Sequence, residues 1–174
     1  MFSKLLVKLV DQAIFPAIFL VSLRIISLLI ISSKSSSTFT TSGLGFVYTN
    51  MDEFIYVSSY SLLFMLGGLA VGLMHILIKA RVFHDTHITP SMAAKVFGLR
   101  LSSLIQGSFD LYSQGAIWLS YMFLLTAVCG IMNYFSMIYS WVFYISVSLL
   151  VVFFYIFAID VEREIEASQR KVTR

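Results

Sequence analysis

The stretch FLVSLRIISLLIISSKSSS (residues 19–37) is apolar enough to enter a bilayer, yet Arg24 sits inside it. If Gln12 lies near a membrane face, Arg24 is about 12 residues deeper, roughly 18 Å at 1.5 Å per residue. Arginine at that depth costs about 2.5–3.5 kcal/mol on insertion scales, so an isolated guanidinium facing lipid is a poor arrangement. No Asp or Glu lies inside the other apolar segments. The charge must be answered by a backbone carbonyl, a serine or Asn133 within the chain, or by snorkelling of the side chain to the interface. Outside the chain, the candidates are an acidic residue of another subunit, a lipid phosphate or an anionic ligand.

Other residue types offer less chemistry. G-x-S-x-G, H-E-x-x-H and Walker A strings are missing. No carboxylate pair stands inside an apolar segment to act as acid and base. Asp52 and Glu53 are neighbours, and a helix N-terminus attracting carboxylates explains them. Of the three histidines, His84 and His87 form a short HDTH string without a thiolate, and His75 lacks a second histidine on a facing segment for haem ligation. The single Cys129 excludes an internal disulfide and reads as packing. No catalytic residue, metal site or cofactor is expected.

The elements that must hold Arg24 follow from composition. Of 174 residues, 59% are hydrophobic and 12% charged, and mean hydropathy is +0.89. So little charge would leave large apolar patches exposed in water, which makes lipid the natural solvent. The interval between Asp110 and Asp160 contains no Asp, Glu, Lys or Arg, enough chain for two passes of about 20 residues each. NYFSMIYSW (residues 133–141) is the expected turn between them. The predicted fold is all-α: four transmembrane helices at about 13–32, 54–79, 116–137 and 140–160. Pro16 falls near the start of the first, where a missing N–H does little harm. A cleaved signal peptide is disfavoured by the length of the first apolar run and by its arginine. Trp118 is expected at one membrane interface, and Tyr134, Tyr139 and Trp141 at the other.

Between the second and third spans, residues 80–115 form a connection in which Thr89 and Pro90 read as the start of a helix. Phe97, Leu101, Leu104, Leu111 and Tyr112 can share one face, predicting an amphipathic helix at the membrane surface. The serine-rich stretch between the first two spans is expected to be a loop. Residues 161–174 read as a charged extension of the last helix.

Two stripes of small or polar residues follow helical spacing. Gly68, Gly72, His75 and Lys79 share one face of the second span, and Thr126, Gly130 and Asn133 share one face of the third. Glycine costs about 1 kcal/mol against alanine in a soluble helix, but in lipid it permits close helix approach. Both stripes are expected to face protein, in the monomer or between chains.

Lys and Arg placement sets the orientation. Lys4 and Lys8 precede the first span; Lys79, Arg81, Lys95 and Arg100 lie between the second and third; Arg163, Arg170, Lys171 and Arg174 follow the fourth. Only Lys34 lies on the opposite side. The positive-inside rule then puts both termini in the cytoplasm, in a cell (inner) membrane, with Lys79, Lys95 and Arg100 at the cytoplasmic interface. The net charge of +3 is thereby explained without nucleic acid. The expected role is a non-catalytic subunit of a larger membrane complex of secretion, conjugation or respiratory type, with other subunits and the lipid bilayer as partners. The alternative is a small homo-oligomeric transporter, channel or lipid-handling protein that uses Arg24 for an anionic ligand. No soluble substrate is evident.

Overall fold

The computed structural model describes residues 2–35, 39–42, 45–48, 50–82 and 108–172. Four long helices dominate: α1 (Phe2–Ser35), α2 (Met51–Val82), α3 (Ser108–Tyr134) and α4 (Ser140–Val172), with β1 (Phe39–Ser42) and β2 (Gly45–Tyr48) between the first two. All four helices contain stretches long and apolar enough to cross a membrane: Val10–Ser33, Met51–Arg81, Asp110–Tyr134 and Ser140–Glu166. In hydrocarbon the backbone has no water to bond, and a helix satisfies its own N–H and C=O groups. That requirement makes these sequences helical despite their many β-branched and aromatic residues.

The helices run longer than the apolar core requires. α1 continues straight through Pro16, which lies well inside it rather than near its start. The ring removes one i→i−4 bond, a loss tolerated where neighbouring helices pack against the site, and Pro16 is buried. α2 starts at a side-chain cap: Asn50 Oδ1 accepts the Asp52 N–H at 3.2 Å. Asp52 and Glu53 occupy its first turn and Lys79 and Arg81 its last, each sign matching the helix dipole. α4 is continuous to Val172, so the charged tail extends the last apolar helix.

α3 ends in a motif that fixes the turn. The Met137 N–H reaches the Met132 carbonyl at 2.8 Å and the Ser136 N–H reaches the Asn133 carbonyl at 3.0 Å. Ser136 takes a φ of 55°. This is a Schellman closure with serine where glycine is the usual choice, and the left-handed conformation costs a residue with a Cβ about 1–2 kcal/mol. The helix stops at Tyr134, slightly earlier than the sequence suggests.

Three expectations are corrected. The serine-rich stretch is not all loop: β1 and β2 pair antiparallel, with Phe39 opposite Tyr48 and Ser42 opposite Gly45. Phe39, Thr40, Thr41, Phe46, Val47 and Tyr48 carry strand-favouring side chains that the surrounding serines obscure. The helix that carries the third apolar stretch already starts at Ser108, so Leu111 and Tyr112 belong to it, inside a window that opens at Asp110. Leu111 is fully buried in the bundle, which explains its apolar character without an interfacial helix. Trp118 is 8% exposed and sits in the core, not at an interface. The rest of the predicted interfacial segment, with Lys95 and Arg100, lies outside the described residues.

The chain runs up, down, up and down. The Tyr139 N–H, in the α3–α4 turn, bonds Ser59 Oγ near the start of α2 at 2.9 Å. At the other end Ser113 Oγ bonds Gln12 Oε1 at 3.0 Å, and the Tyr121 hydroxyl donates to the Ala13 carbonyl at 3.1 Å. The start of α1 and the end of α4 therefore share one end of the bundle, called here the terminal end; the hairpin marks the other. α2 supplies the core ridge. Leu62, Leu66, Leu69, Leu73 and Ile76 follow steps of four and three and are buried against Trp118, Met122 and Cys129 of α3 and Val142 of α4. Tyr134 (82% exposed), Tyr139 and Trp141 cluster at the hairpin end, as the aromatic pattern suggests.

Candidate partner-binding site around Arg24

Arg24 is held in the α1–α2 groove. Ser27, one turn further along α1, meets Ser61 of α2 with 2.7 Å between buried hydroxyl oxygens. Ser27 Oγ also lies 3.0 Å from the Arg24 carbonyl, closing a local i−3 bond. The helices are antiparallel, so this pair puts the Arg24 backbone level with about Phe64. Its Nη1 donates to the Ser58 carbonyl at 3.4 Å. Ser58 is six residues from Phe64, or roughly 9 Å nearer the hairpin at 1.5 Å per residue. The side chain thus lies along the groove and carries its charge toward the hairpin end, within electrostatic reach of the Tyr48 hydroxyl.

This pocket is polar but incomplete. A guanidinium has five N–H donors, and one long bond to Ser58 is its only hydrogen bond among the described residues. No carboxylate among them pairs with it. The Ser58 hydroxyl is buried beside it and has no hydrogen-bond partner there. Buried polar groups are normally satisfied, so each of these free valences points to something else at the site. Arg24 itself is half-buried, open enough to be reached from outside the bundle.

Gly68 and Gly72 do face protein, and they do so within the monomer. A methyl group at Gly72 would collide with the Trp118 ring, and one at Gly68 with Leu23 of α1, at 3.1 Å from the Phe19 ring as well. The glycines are notches for large side chains. Phe15, Phe19 and Trp118 form a cluster there, with Phe19 and Trp118 centroids 5.9 Å apart. Further along the stripe, His75 is exposed and Lys79 half-buried. All four stripe residues line one cleft between α1, α2 and α3.

The second stripe packs on α4. Thr126 Oγ1 donates to the Ser146 carbonyl at 3.4 Å. A methyl group at Gly130 would stand 3.2 Å from the Phe143 ring. Asn133 contributes its backbone carbonyl to the α3 closure and does not reach Arg24 in any bond among the described residues. The two stripes therefore serve separate helix contacts, and neither borders the free donors of Arg24.

Sequence reasoning overlooked two features. Two serines of YVSSYS in α2, Ser58 and Ser61, line the Arg24 groove, while the third, Ser59, meets the Tyr139 N–H; all three are buried. Their signal was available, because serine pairs at i,i+3 opposite a buried arginine are what a polar helix contact requires. The second is a polar lock at the terminal end. Asp160 Oδ1 lies 3.7 Å from Arg81 Nε, and the Tyr112 hydroxyl donates to Asp160 Oδ2 at 3.4 Å. It joins α2, α3 and α4 just where the apolar windows end.

No family model, curated protein or solved structure matches this chain.

Proposed function

We propose that the protein is a non-catalytic membrane subunit that docks another membrane chain through the Arg24 groove. One observation carries this reading: the guanidinium of Arg24, inside the apolar window of α1, has a single 3.4 Å bond and no carboxylate among the described residues, beside a buried Ser58 hydroxyl that also lacks a partner. An acidic or carbonyl-rich segment of a neighbouring helix would satisfy both. The orientation that fits the Lys and Arg distribution puts the terminal end in the cytoplasm of a cell with an inner membrane. Arg24 then reaches toward the outer leaflet. Gly68 and Gly72 are filled by Leu23, Phe19 and Trp118, and Thr126 and Gly130 pack on α4, so these contacts lie within the monomer and supply no partner for Arg24.

A second reading has one observation in its favour. The guanidinium leans toward the hairpin end, where lipid phosphates of the nearer leaflet would lie. A lipid-handling homo-oligomer would use it for that anion.

Purification from native membranes in a mild detergent separates the two. A stoichiometric second chain is expected with the wild type. Arg24→Ala should weaken its retention roughly thirty-fold, since truncating one member of a buried charge pair costs at least about 2 kcal/mol. Equal recovery of that chain with both proteins, or a wild type that runs as this chain and lipid alone, would overturn the docking role.

A further inference from the structure

We propose that the cleft between α1, α2 and α3 at the terminal end binds a zwitterionic aminophospholipid, of the phosphatidylethanolamine class, as a resident lipid. This site is separate from the Arg24 groove and does not depend on the docking role. The cleft encloses about 680 Å³, within the range that holds a ligand of lipid-fragment size. Along α2 it extends from Lys79 to Gly68, roughly 16 Å at 1.5 Å per residue. That is long enough to receive a headgroup at one end and the upper part of an acyl chain at the other.

Its two ends differ in chemistry. The inner end is an apolar trough, with Gly68 and Gly72 as its thin wall, Trp118 as its floor and the Phe15 and Phe19 rings along its rim. Val71 lines it and is 71% exposed, so the trough opens sideways to the lipid around the bundle. The outer end carries Asp11 of α1, His75 and Lys79 of α2 and Gln114 of α3. None of these four makes a hydrogen bond or ion pair among the described residues. Asp11 lies one residue, Lys79 two, Gln114 four and His75 six residues inside the terminal ends of their apolar windows, at Val10, Arg81 and Asp110. Polar groups from three helices thus converge at headgroup depth over an apolar slot, which is the layout of a lipid site.

Charge pattern selects the lipid. Lys79 offers an ammonium to a phosphate, and Asp11 offers a carboxylate to an amine. An anionic glycerol headgroup would meet Lys79 but leave Asp11 facing like charge. A quaternary choline has no N–H for the Gln114 amide oxygen or for Asp11 to accept. A primary ammonium with a phosphodiester matches both signs and both hydrogen-bonding modes. His75 stands between them and takes no assigned role.

Trp118 reports occupancy directly. In a Trp141→Phe variant it is the sole tryptophan, since the chain has two. Reconstituted into phosphatidylcholine vesicles doped with lipids brominated near the top of the acyl chain, its fluorescence should be quenched at lower mole fraction by phosphatidylethanolamine than by phosphatidylglycerol. A preference of about fivefold is expected, from about 1 kcal/mol for one charge at the headgroup surface. Asp11→Asn should abolish the preference, and Lys79→Gln should raise the half-quenching mole fraction of both lipids. Neither residue makes a bond that the fold depends on, so both variants should assemble normally. Equal quenching by brominated phosphatidylethanolamine and phosphatidylglycerol in the wild type would overturn the proposal, leaving only the lipid annulus. Absence of quenching would overturn it as well, because the slot would then be closed to lipid.

Discussion

At the scale of single residues, Arg24 and Gly72 show how a membrane interior reverses the usual rules. In water an arginine on a helix is unremarkable and a glycine is a weakness. Here the arginine is the costly group, and its cost falls because the side chain lies along a serine-lined groove toward the hairpin end. The glycine is the stabilising group, because only a hydrogen leaves room for the Trp118 ring. Gly67, its near neighbour on α2, has nothing within 4 Å of the position a methyl would take. The pair is a controlled comparison. Gly72→Ala should lower stability in detergent by about 1–3 kcal/mol, the usual range for overpacking, while Gly67→Ala should be neutral or better. Thermal unfolding followed by helical circular dichroism reads both. Equal stability of the two variants would show that the tryptophan does not fill the notch. The notch was half legible in the sequence: the G-x-x-x-G spacing announces a close contact but not its occupant. A tryptophan in a spanning segment suggests an interface, and only the approach of α3 to α2 turns it inward.

At the scale of elements, the spanning helices could be read from apolar length alone, and their ends could not. Lipid imposes the length, so uninterrupted apolar sequence gives four passes. Ends are set by local bonds that hydropathy does not register. The Asn50 cap and the Ser136 closure each fix a boundary through a polar contact of one or two residues. The β-hairpin was hidden for a related reason, because its strands are four residues each and sit among serines. The order of elements carries its own prediction. Ser136 lies in the α3–α4 turn at the hairpin end, and Glu166 is the last residue of the apolar window of α4, at the terminal end; both are exposed. With cysteine at either position, a membrane-impermeant thiol reagent applied to intact cells should label Ser136→Cys. It should reach Glu166→Cys only after the membrane is opened. Cys129 is buried and should stay silent. Labelling of both from one side would break the alternating arrangement, and the reverse pattern would invert the orientation.

At the scale of the whole molecule, the bundle is well packed on one side and unfinished on another. α2 is at its centre, while only 17% of the most apolar window of α4 is buried among the described residues. Exposed apolar surface of that kind is ordinary in a bilayer and names no partner. What distinguishes this chain is polar: an intramembrane arginine whose guanidinium has free donors among the described residues, on a helix whose neighbouring Val21 is 59% exposed. The arginine was conspicuous in the sequence, and its serine surroundings became meaningful only when α1 and α2 were brought together. The docking role stands or falls with what touches that face in a native membrane. A photoreactive amino acid in place of Val21, one helical turn from Arg24, tests this most directly. Irradiation should give one discrete product of higher mass that contains a second protein chain, and Arg24→Ala should remove it. Products containing lipid alone would contradict the docking role and leave the groove to a phosphate.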